Sequence, residues 1–287
     1  MVGLAPWNRT RSPLSQSLSD RALDGFVAFA NELADVAHAM LTEAGRLRPE
    51  REVKPDRSFV TQHDIAIETR LRELIDARFP GHGVLGEEAQ PRDADADLVW
   101  VLDPIDGTAP FIAGAPVYGT LIALAAEGVP VLGIIDQAVT GDRWIGAQGR
   151  PTRHGAHPCR SRQSASLGGS ILTCSNPDFF APEERPALDA LRGATAWRIY
   201  GTACMAYGLL ASGRTDLALD TGFKVHDFAP FVPIVTGAGG RITDWDGAAL
   251  TLASGPRILA AGSADRHAEA LALVRRAMDE TAEAGRG

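Results

Sequence analysis

Cysteine is scarce in this chain. Cys159, Cys174 and Cys204 are the three among 287 residues, and no two of them form a Cys-x-x-Cys pair. That excludes a disulfide framework and a thiolate zinc site. A sparse, odd count suits a reducing compartment, and a cytoplasmic location is expected. Long apolar runs are also missing: none approaches the roughly 20 residues that a membrane span needs, so no membrane partner is expected. Residues 1–18 are polar, carry Pro6 and Pro13, and lack the apolar stretch of a secretory signal. They read as a loose N-terminal arm. Basic charge is in deficit, with 28 Lys+Arg against 36 Asp+Glu and a net charge of −8. A nucleic-acid partner requires a basic footprint that this chain does not have, though a local site for a small anion stays open. Neither an internal repeat nor a low-complexity block is present.

What is there is ordinary globular material, 45% hydrophobic and 22% charged. The length is enough for a self-sufficient core. From Asp20 onward, Leu23, Phe26, Val27, Ala30, Leu33, Ala34, Ala37, Met40 and Leu41 recur at three- and four-residue spacing. They predict an amphipathic helix, stopped by Gly45 and Pro49. A second helix is predicted over 62–78. Short strands follow at 98–102, 117–125, 131–136 and 143–147, joined by tight turns that make antiparallel neighbours. Residues 149–169 read as a surface connection. Beyond them strands at 171–175, 196–200, 216–220, 241–244 and 257–261 alternate with helices at 182–191, 202–212, 226–237 and 264–283. Helices, an antiparallel-rich sheet and then a βα half predict an α/β layered protein. We divide it into an α+β part over 19–150 and an α/β part over 151–287, together one compact unit.

The most informative stretch is Trp100-Val-Leu-Asp103-Pro-Ile-Asp106-Gly-Thr108. An apolar strand ends in an acid, and Pro104 is expected to stop the ladder there. Asp103, the Ile105 carbonyl and Asp106 then surround one point, as oxygen ligands surround a hard cation such as Mg²⁺. Residues after Asp106 can open a helix whose free N–H groups bind an anion. Asp-Pro-x-Asp-Gly over 103–107 is also a run of turn formers, so a plain turn is the competing reading. Glu87 and Glu88 lie upstream and read equally as a solvated acidic loop. Asp227 follows His226 at a helix start, where an acid also serves as a cap. Asp64 fits the pattern of a hydroxyl, Thr61, followed three residues later by an acid; it caps a helix and can face a metal pocket as well. If Glu87, Asp103, Asp106 and Asp227 converge, they need cations, because two unit charges at 4 Å repel by about 4 kcal/mol at an effective dielectric of 20.

Three other features are set aside. Gly81-His-Gly83-Val-Leu-Gly86 has the spacing of a dinucleotide loop, but it follows a helix and leads into two glutamates that would repel a pyrophosphate. His154 and His157 have no third zinc ligand nearby. Cys204 sits among apolar residues and reads as packing.

Gly86-Glu87-Glu88, Asp103-Pro-Ile-Asp106-Gly-Thr108 and Asp227 together resemble the inositol monophosphatase superfamily, over roughly residues 20–280. The phrases Phe111-Ile-Ala-Gly114, Tyr118-Gly-Thr-Leu-Ile122, Asp136-Gln-Ala-Val-Thr-Gly-Asp-Arg-Trp144 and Lys224-Val-His-Asp227 are similar to its histidinol-phosphate phosphatase branch. The resemblance implies an αβαβα sandwich and a phosphomonoesterase that binds two or three Mg²⁺, accepts Mn²⁺ and is inhibited by Li⁺. It implies metal ligation by Glu87, Asp103, the Ile105 carbonyl, Asp106 and Asp227. Gly107 and Thr108 become the phosphate cradle, and Thr108, Glu87 and Asp64 orient the attacking water. Asp220, Ala203 and Lys224 fall on the substrate's non-phosphate side, with Lys54 at the entrance. A homodimer is implied too.

The chain departs from that branch at three positions. Gly201-Thr202-Ala203 stands where an acid is expected at 203, Asp220 where Glu is expected, and Ala109 where a basic residue is usual. These changes touch the substrate end and leave the metal ligands intact. The expected substrate is L-histidinol phosphate, hydrolysed to L-histidinol and phosphate in histidine synthesis. The alternatives are inositol 1-phosphate or a sugar phosphate, a nucleotide or a specialised metabolite, and, from a different class, a non-catalytic metal-binding protein.

Overall fold

The structure is a computed structural model that describes residues 18–47, 49–55 and 58–284. The arm expected over 1–18 lies outside the described residues except for Leu18. In chain order the elements are α1 (Asp20–Ala44), β1 (Arg51–Val53), β2 (Phe59–Thr61), α2 (Gln62–Arg78), β3 (Gly83–Gly86), β4 (Leu98–Asp106), α3 (Thr108–Ala113), β5 (Gly119–Ala126), β6 (Val129–Asp136), β7 (Arg143–Ala147), β8 (Arg153–His154) and β9 (His157–Pro158). Then follow β10 (Ile171–Cys174), α4 (Arg185–Ala194), β11 (Trp197–Tyr200), α5 (Met205–Ala211), β12 (Leu217–Asp220), α6 (Val225–Phe228), α7 (Phe231–Gly237), β13 (Arg241–Thr243), β14 (Ile258–Ala261) and α8 (Ala264–Ala284). No helix among the described residues is long and apolar enough to cross a membrane.

Two sheets carry the architecture. Strands β3 to β9 form one in sequential order, antiparallel except for β3 beside β4. The other is mixed, in the order β11-β10-β12-β14-β13. Side-chain alternation along β4 and β5 explains the layering. Trp100, Leu102, Ile122 and Leu124 face α1 and α2 and pack on Leu33, Leu41, Leu71 and Ile75. Leu121, Ile135 and Trp144 leave the opposite face toward α5 and α7, which also receive Ala218, Ile258 and Ala260 from the second sheet. That sheet's outer face packs Leu172, Leu217 and Leu259 on α4 and α8. The result is the alternating αβαβα sandwich. With both faces covered, β5 has seven buried residues out of eight, so its sequence shows an apolar run rather than an alternation.

Several boundaries differ from the sequence reading. Strand β4 does not stop before Pro104 but runs on to Asp106. A bulge absorbs Pro104 and Ile105: pairing with β5 breaks after Asp103↔Leu121 and resumes at Asp106↔Gly119. The helix expected over 226–237 is two helices, broken at Ala229–Pro230, where proline brings no amide hydrogen. The helix expected over 182–191 starts at Arg185. The one expected over 202–212 starts at Met205, because Gly201 and Ala203 hold positive φ angles of 76° and 45°. The stretch 149–169 is not wholly a surface connection, since it contains β8, β9 and the buried Thr152 and Ser161.

The joint between α6 and α7 rides directly on the first sheet. A side chain at Gly133 in β6 would overlap the Pro230 backbone, and one at Gly146 in β7 would overlap the backbone of Pro233 and Ile234. Only hydrogen permits that approach, and it seats the joint where α6 gives way to α7. Gly133→Ala is expected to lower stability by about 1–3 kcal/mol through overpacking. Gly193→Ala, in α4 with open space around it, is expected to be neutral or to stabilise by about 0.5–1 kcal/mol. Urea unfolding of the two variants checks the contrast; equal effects would refute this packing account.

Candidate active site

The bulge in β4 builds one wall of the site. Pro104 has no N–H to give, and its carbonyl accepts from the Thr120 hydroxyl at 2.8 Å. The Ile105 side chain is buried in the core, and its carbonyl oxygen lies 3.1 Å from the Thr108 hydroxyl. Gly107 turns the chain into α3 at φ 81°, a left-handed conformation that a side chain would strain. A side chain there would also meet the Ala203 methyl at 3.0 Å.

Around this wall the acids converge. Asp103, Asp106 and Asp227 each present a ligand atom within 4.8 Å of the others, and Glu87, Asp103 and His226 do the same. Asp103 belongs to both groups. Asp106 Oδ2 accepts the Cys204 N–H at 2.5 Å, and Asp227 Oδ2 accepts the Lys224 N–H at 2.5 Å. Asp103 Oδ1 is buried and accepts no hydrogen bond among the described residues. Asp64 divides its carboxylate. Oδ2 closes the capping box of α2 with the Thr61 N–H and hydroxyl at 2.8 and 2.6 Å, while Oδ1 lies 3.4 Å from the Thr108 hydroxyl. Capping and facing the site are therefore compatible.

The loop that carries Glu87 is tied down from beneath. Glu68, 1% exposed in α2, accepts the N–H groups of Glu88 and Ala89 at 2.8 and 3.1 Å and pairs with Arg72 at 2.8 Å. Any side chain at Gly86 would collide with the Glu68 carboxylate. The third glycine of the G-x-G-x-x-G spacing is thus there to let a glutamate approach, and Gly83–Gly86 is itself a strand. The Lys54 ammonium bridges Glu87 and Glu88 at 3.0 and 2.8 Å.

Burial dominates the electrostatics. It raises Asp103 well above the usual carboxylate range, and the charges of Glu87 and Asp106 add to the shift. Burial and the charge of Asp227 raise Asp106 to about 7. Asp227 and Asp64 are raised by burial as well. Glu88 stands at about 7, raised by burial and by Glu87 although Lys54 opposes the shift. Burial alone would lower the Lys54 ammonium, but the two glutamates overcome it and hold its pKa above the ordinary value. A buried, all-oxygen set with one carboxylate oxygen unpaired fits a divalent cation, whose charge would remove the repulsion.

The other predicted residues are spread more widely. Gly107, Thr108 and Ala203 line the same wall, and Lys224 flanks it through its backbone. Asp220 is the exception. It was expected to meet the substrate, but it is 1% exposed, and both its oxygens are engaged, by the Ser175 N–H at 2.6 Å and the Tyr207 hydroxyl at 2.9 Å. Burial raises it to about 7. Sequence reasoning missed Glu68 and His226. A charged residue on the apolar side of α2, three before Leu71 and seven before Ile75, was the available signal for Glu68. His226 was read only as the neighbour of Asp227. Of the histidines set aside, His154 stacks on Trp144 at 4.5 Å and pairs with Asp142 at 2.6 Å.

The chain is similar to known proteins in both sequence and fold. The family model described as the inositol monophosphatase family matches residues 22–279. A bifunctional chloroplastic phosphatase of Arabidopsis thaliana is 40% identical over 263 residues, 88% of this chain and 76% of the relative. A histidinol-phosphatase of Mycobacterium tuberculosis is 38% identical over 208 residues, 69% of this chain and 78% of the relative. The structure of an inositol monophosphatase from Zymomonas mobilis superposes with a TM-score of 0.82 at 36% identity, over 88% of this chain and 99% of that one.

The raised acids set a pH dependence. The folded chain without cations holds protons on Asp103, Asp106 and Asp227 that the unfolded chain has released above pH 4. The contribution of Asp106 to stability is therefore full below about pH 4 and is lost as pH rises through about 7, and Asp103 and Asp227 shift in the same direction. Across pH 5.5 to 8, chelator-treated protein is expected to show a falling Tm, and a divalent cation to raise Tm most at pH 8. A Tm independent of pH and of cations would rule out the cluster as the source of strain.

Proposed function

The chain belongs to the inositol monophosphatase family and is a phosphoric monoester hydrolase, and from that premise we propose that it hydrolyses L-histidinol phosphate with Mg²⁺ as its metal. The observation that carries the chemistry is the convergence of Glu87, Asp103, Asp106 and Asp227 on one pocket, with Asp103 Oδ1 buried and unpaired. These acids, with the Ile105 carbonyl, would hold the ions. Bound there, they supply neutralisation of the phosphoryl charge and a lowered pKa for water. The pocket lies between the two halves we assign, 19–150 and 151–287.

The remaining roles fall to this chain's own groups. The backbone N–H groups of Gly107 and Thr108 bind the phosphoryl oxygens. Asp64 and the Ile105 carbonyl sit at 3.4 and 3.1 Å from the Thr108 hydroxyl and fix its direction, so that its oxygen accepts from the incoming water. Glu87 is the second orienting group. Water attacks phosphorus and releases one proton to solvent as its oxygen bonds to phosphorus, the ester P–O bond breaks, and the leaving alkoxide takes a proton from solvent. Nothing in the pocket suggests a covalent intermediate: burial raises the Cys204 thiol, and Gln137 donates to its sulphur at 3.0 Å.

For the substrate, the support is the set of sequence phrases shared with the histidinol-phosphatase branch and the histidinol-phosphatase among the chain's relatives. Asp220 is not available to pair with the substrate's ammonium, so the acidic field of the pocket has to favour that cation instead. Inositol 1-phosphate is the second reading. It is favoured by Ala203, whose methyl faces Gly107 where an acid would otherwise stand.

Phosphate release from histidinol phosphate, inositol 1-phosphate, fructose 1,6-bisphosphate and adenosine 3′,5′-bisphosphate tests the proposal. Histidinol phosphate is expected to give the highest kcat/KM, and Asp103→Asn to abolish turnover of all four. Preference for inositol 1-phosphate would reject the substrate and keep the chemistry; activity in Asp103→Asn would reject both. Thr108→Val is expected to lower kcat by roughly 10²-fold or more with KM little changed, since it removes a positioned proton-handling group.

A further inference from the structure

The two groups of ligand atoms that share Asp103 differ in kind. Asp103, Asp106 and Asp227 offer oxygen only. Glu87, Asp103 and His226 offer two carboxylates and an imidazole nitrogen, all within 4.8 Å of one another. His226 is 7% exposed. Its nearest ionic neighbour is Asp227, with Nε2 at 3.7 Å from Oδ1, beyond hydrogen-bond range. Imidazole nitrogen is a common metal donor, so a ring placed this close to two carboxylates can join them in holding one ion. The shared Asp103 keeps Oδ1 unpaired.

Charge and donor type indicate what the partner is. Glu87 and Asp103 carry two negative charges, and a neutral imidazole adds none, so one divalent ion balances the group. Lys54 already contacts Glu87 at 3.0 Å, so an incoming ion competes with the ammonium for that carboxylate. A third donor beyond the two acids therefore matters for affinity. Imidazole suits Zn²⁺, Ni²⁺ and Fe²⁺ best and binds even Mn²⁺, the weakest of the series, more readily than it binds Mg²⁺, whereas an all-oxygen set suits Mg²⁺. We propose that His226 makes the Glu87–Asp103 position a mixed nitrogen–oxygen site for a divalent transition-metal ion, chemically distinct from the all-oxygen position at Asp103, Asp106 and Asp227. The proposal rests on the reading that these acids bind divalent cations, and it divides them into two positions of unequal preference.

The test uses the full chain, stripped with chelator and reloaded with Mn²⁺. Electron spin-echo modulation of the bound Mn²⁺ is expected to show a ¹⁴N coupling from imidazole. The coupling is expected to vanish in His226→Phe and in His226→Gln, the second variant keeping a polar group in case the first packs poorly. Calorimetry is expected to show Mn²⁺ affinity falling about tenfold or more in both, since even groups that only support a ligand are worth that much. Mg²⁺ affinity is expected to change far less. Mn²⁺ bound without a ¹⁴N coupling, or a coupling that survives both substitutions, overturns the role of His226. Failure of the wild-type chain to bind Mn²⁺ or Mg²⁺ at all, or undiminished binding in Asp103→Asn, overturns the cation reading itself.

Discussion

Like-charge repulsion among buried carboxylates is the constraint on which the rest of this structure depends. Asp103, Asp106 and Asp227 offer oxygens within 4.8 Å of one another, and Asp103 faces Glu87 as well. At such separations each pair costs on the order of several kcal/mol once water is withdrawn. A chain free to relax would splay these groups into solvent. That it does not do so means each acid is held by a scaffold stronger than the repulsion, and the scaffold can be named. Asp103 and Asp106 are fixed by the β4 bulge, Glu87 by Glu68 beneath its loop, and Asp227 by the α6 cap and the glycines of β6 and β7 under the α6–α7 joint.

Each fixture uses a residue for what it lacks. Pro104 lacks an amide hydrogen, so the ladder can skip a step without leaving a donor unsatisfied. Gly86, Gly133 and Gly146 lack a side chain, so a carboxylate or a helix backbone can come closer than any Cβ would allow. The hydrogen bonds that hold the acids come from backbone N–H groups, of Cys204 to Asp106 and of Lys224 to Asp227. Such donors are set by the fold and cannot rotate away. The pocket is thereby built in advance for positive charge.

Much of this was legible in the sequence. The long amphipathic period of α1, the apolar run of β4 and β5 and the α/β alternation after residue 170 follow from burial alone, and burial leaves a periodic trace. So did the acid motifs, because oxygen ligands at a strand end have few other chemical uses. What was not legible depends on contacts between distant segments. Glu68 looks like any helix glutamate until the loop at 88–89, twenty residues on, folds over it. Pro104 reads as a strand stop because the bulge that accommodates it is made with β5. Strands β1 to β3 are too short, at three or four residues, to show a period.

Asp220 shows the same limit and bears on specificity. In sequence it is an acid at a strand end, seven residues before Asp227, and it invites a role in contacting substrate. In the fold its two oxygens are taken by Ser175 and Tyr207 at 2.6 and 2.9 Å. Side-chain length accounts for the difference. Asp ends one methylene sooner than Glu, so at the end of β12 its carboxylate stays at the level of the sheet, where the β10 end and α5 supply donors. Tyr207 in turn stacks on Phe231 at 3.9 Å and so is not free to release it. Asp220 thereby ties the β10 end, β12 and α5 together, and its carboxylate is spent on the framework behind the acids rather than on the pocket they share.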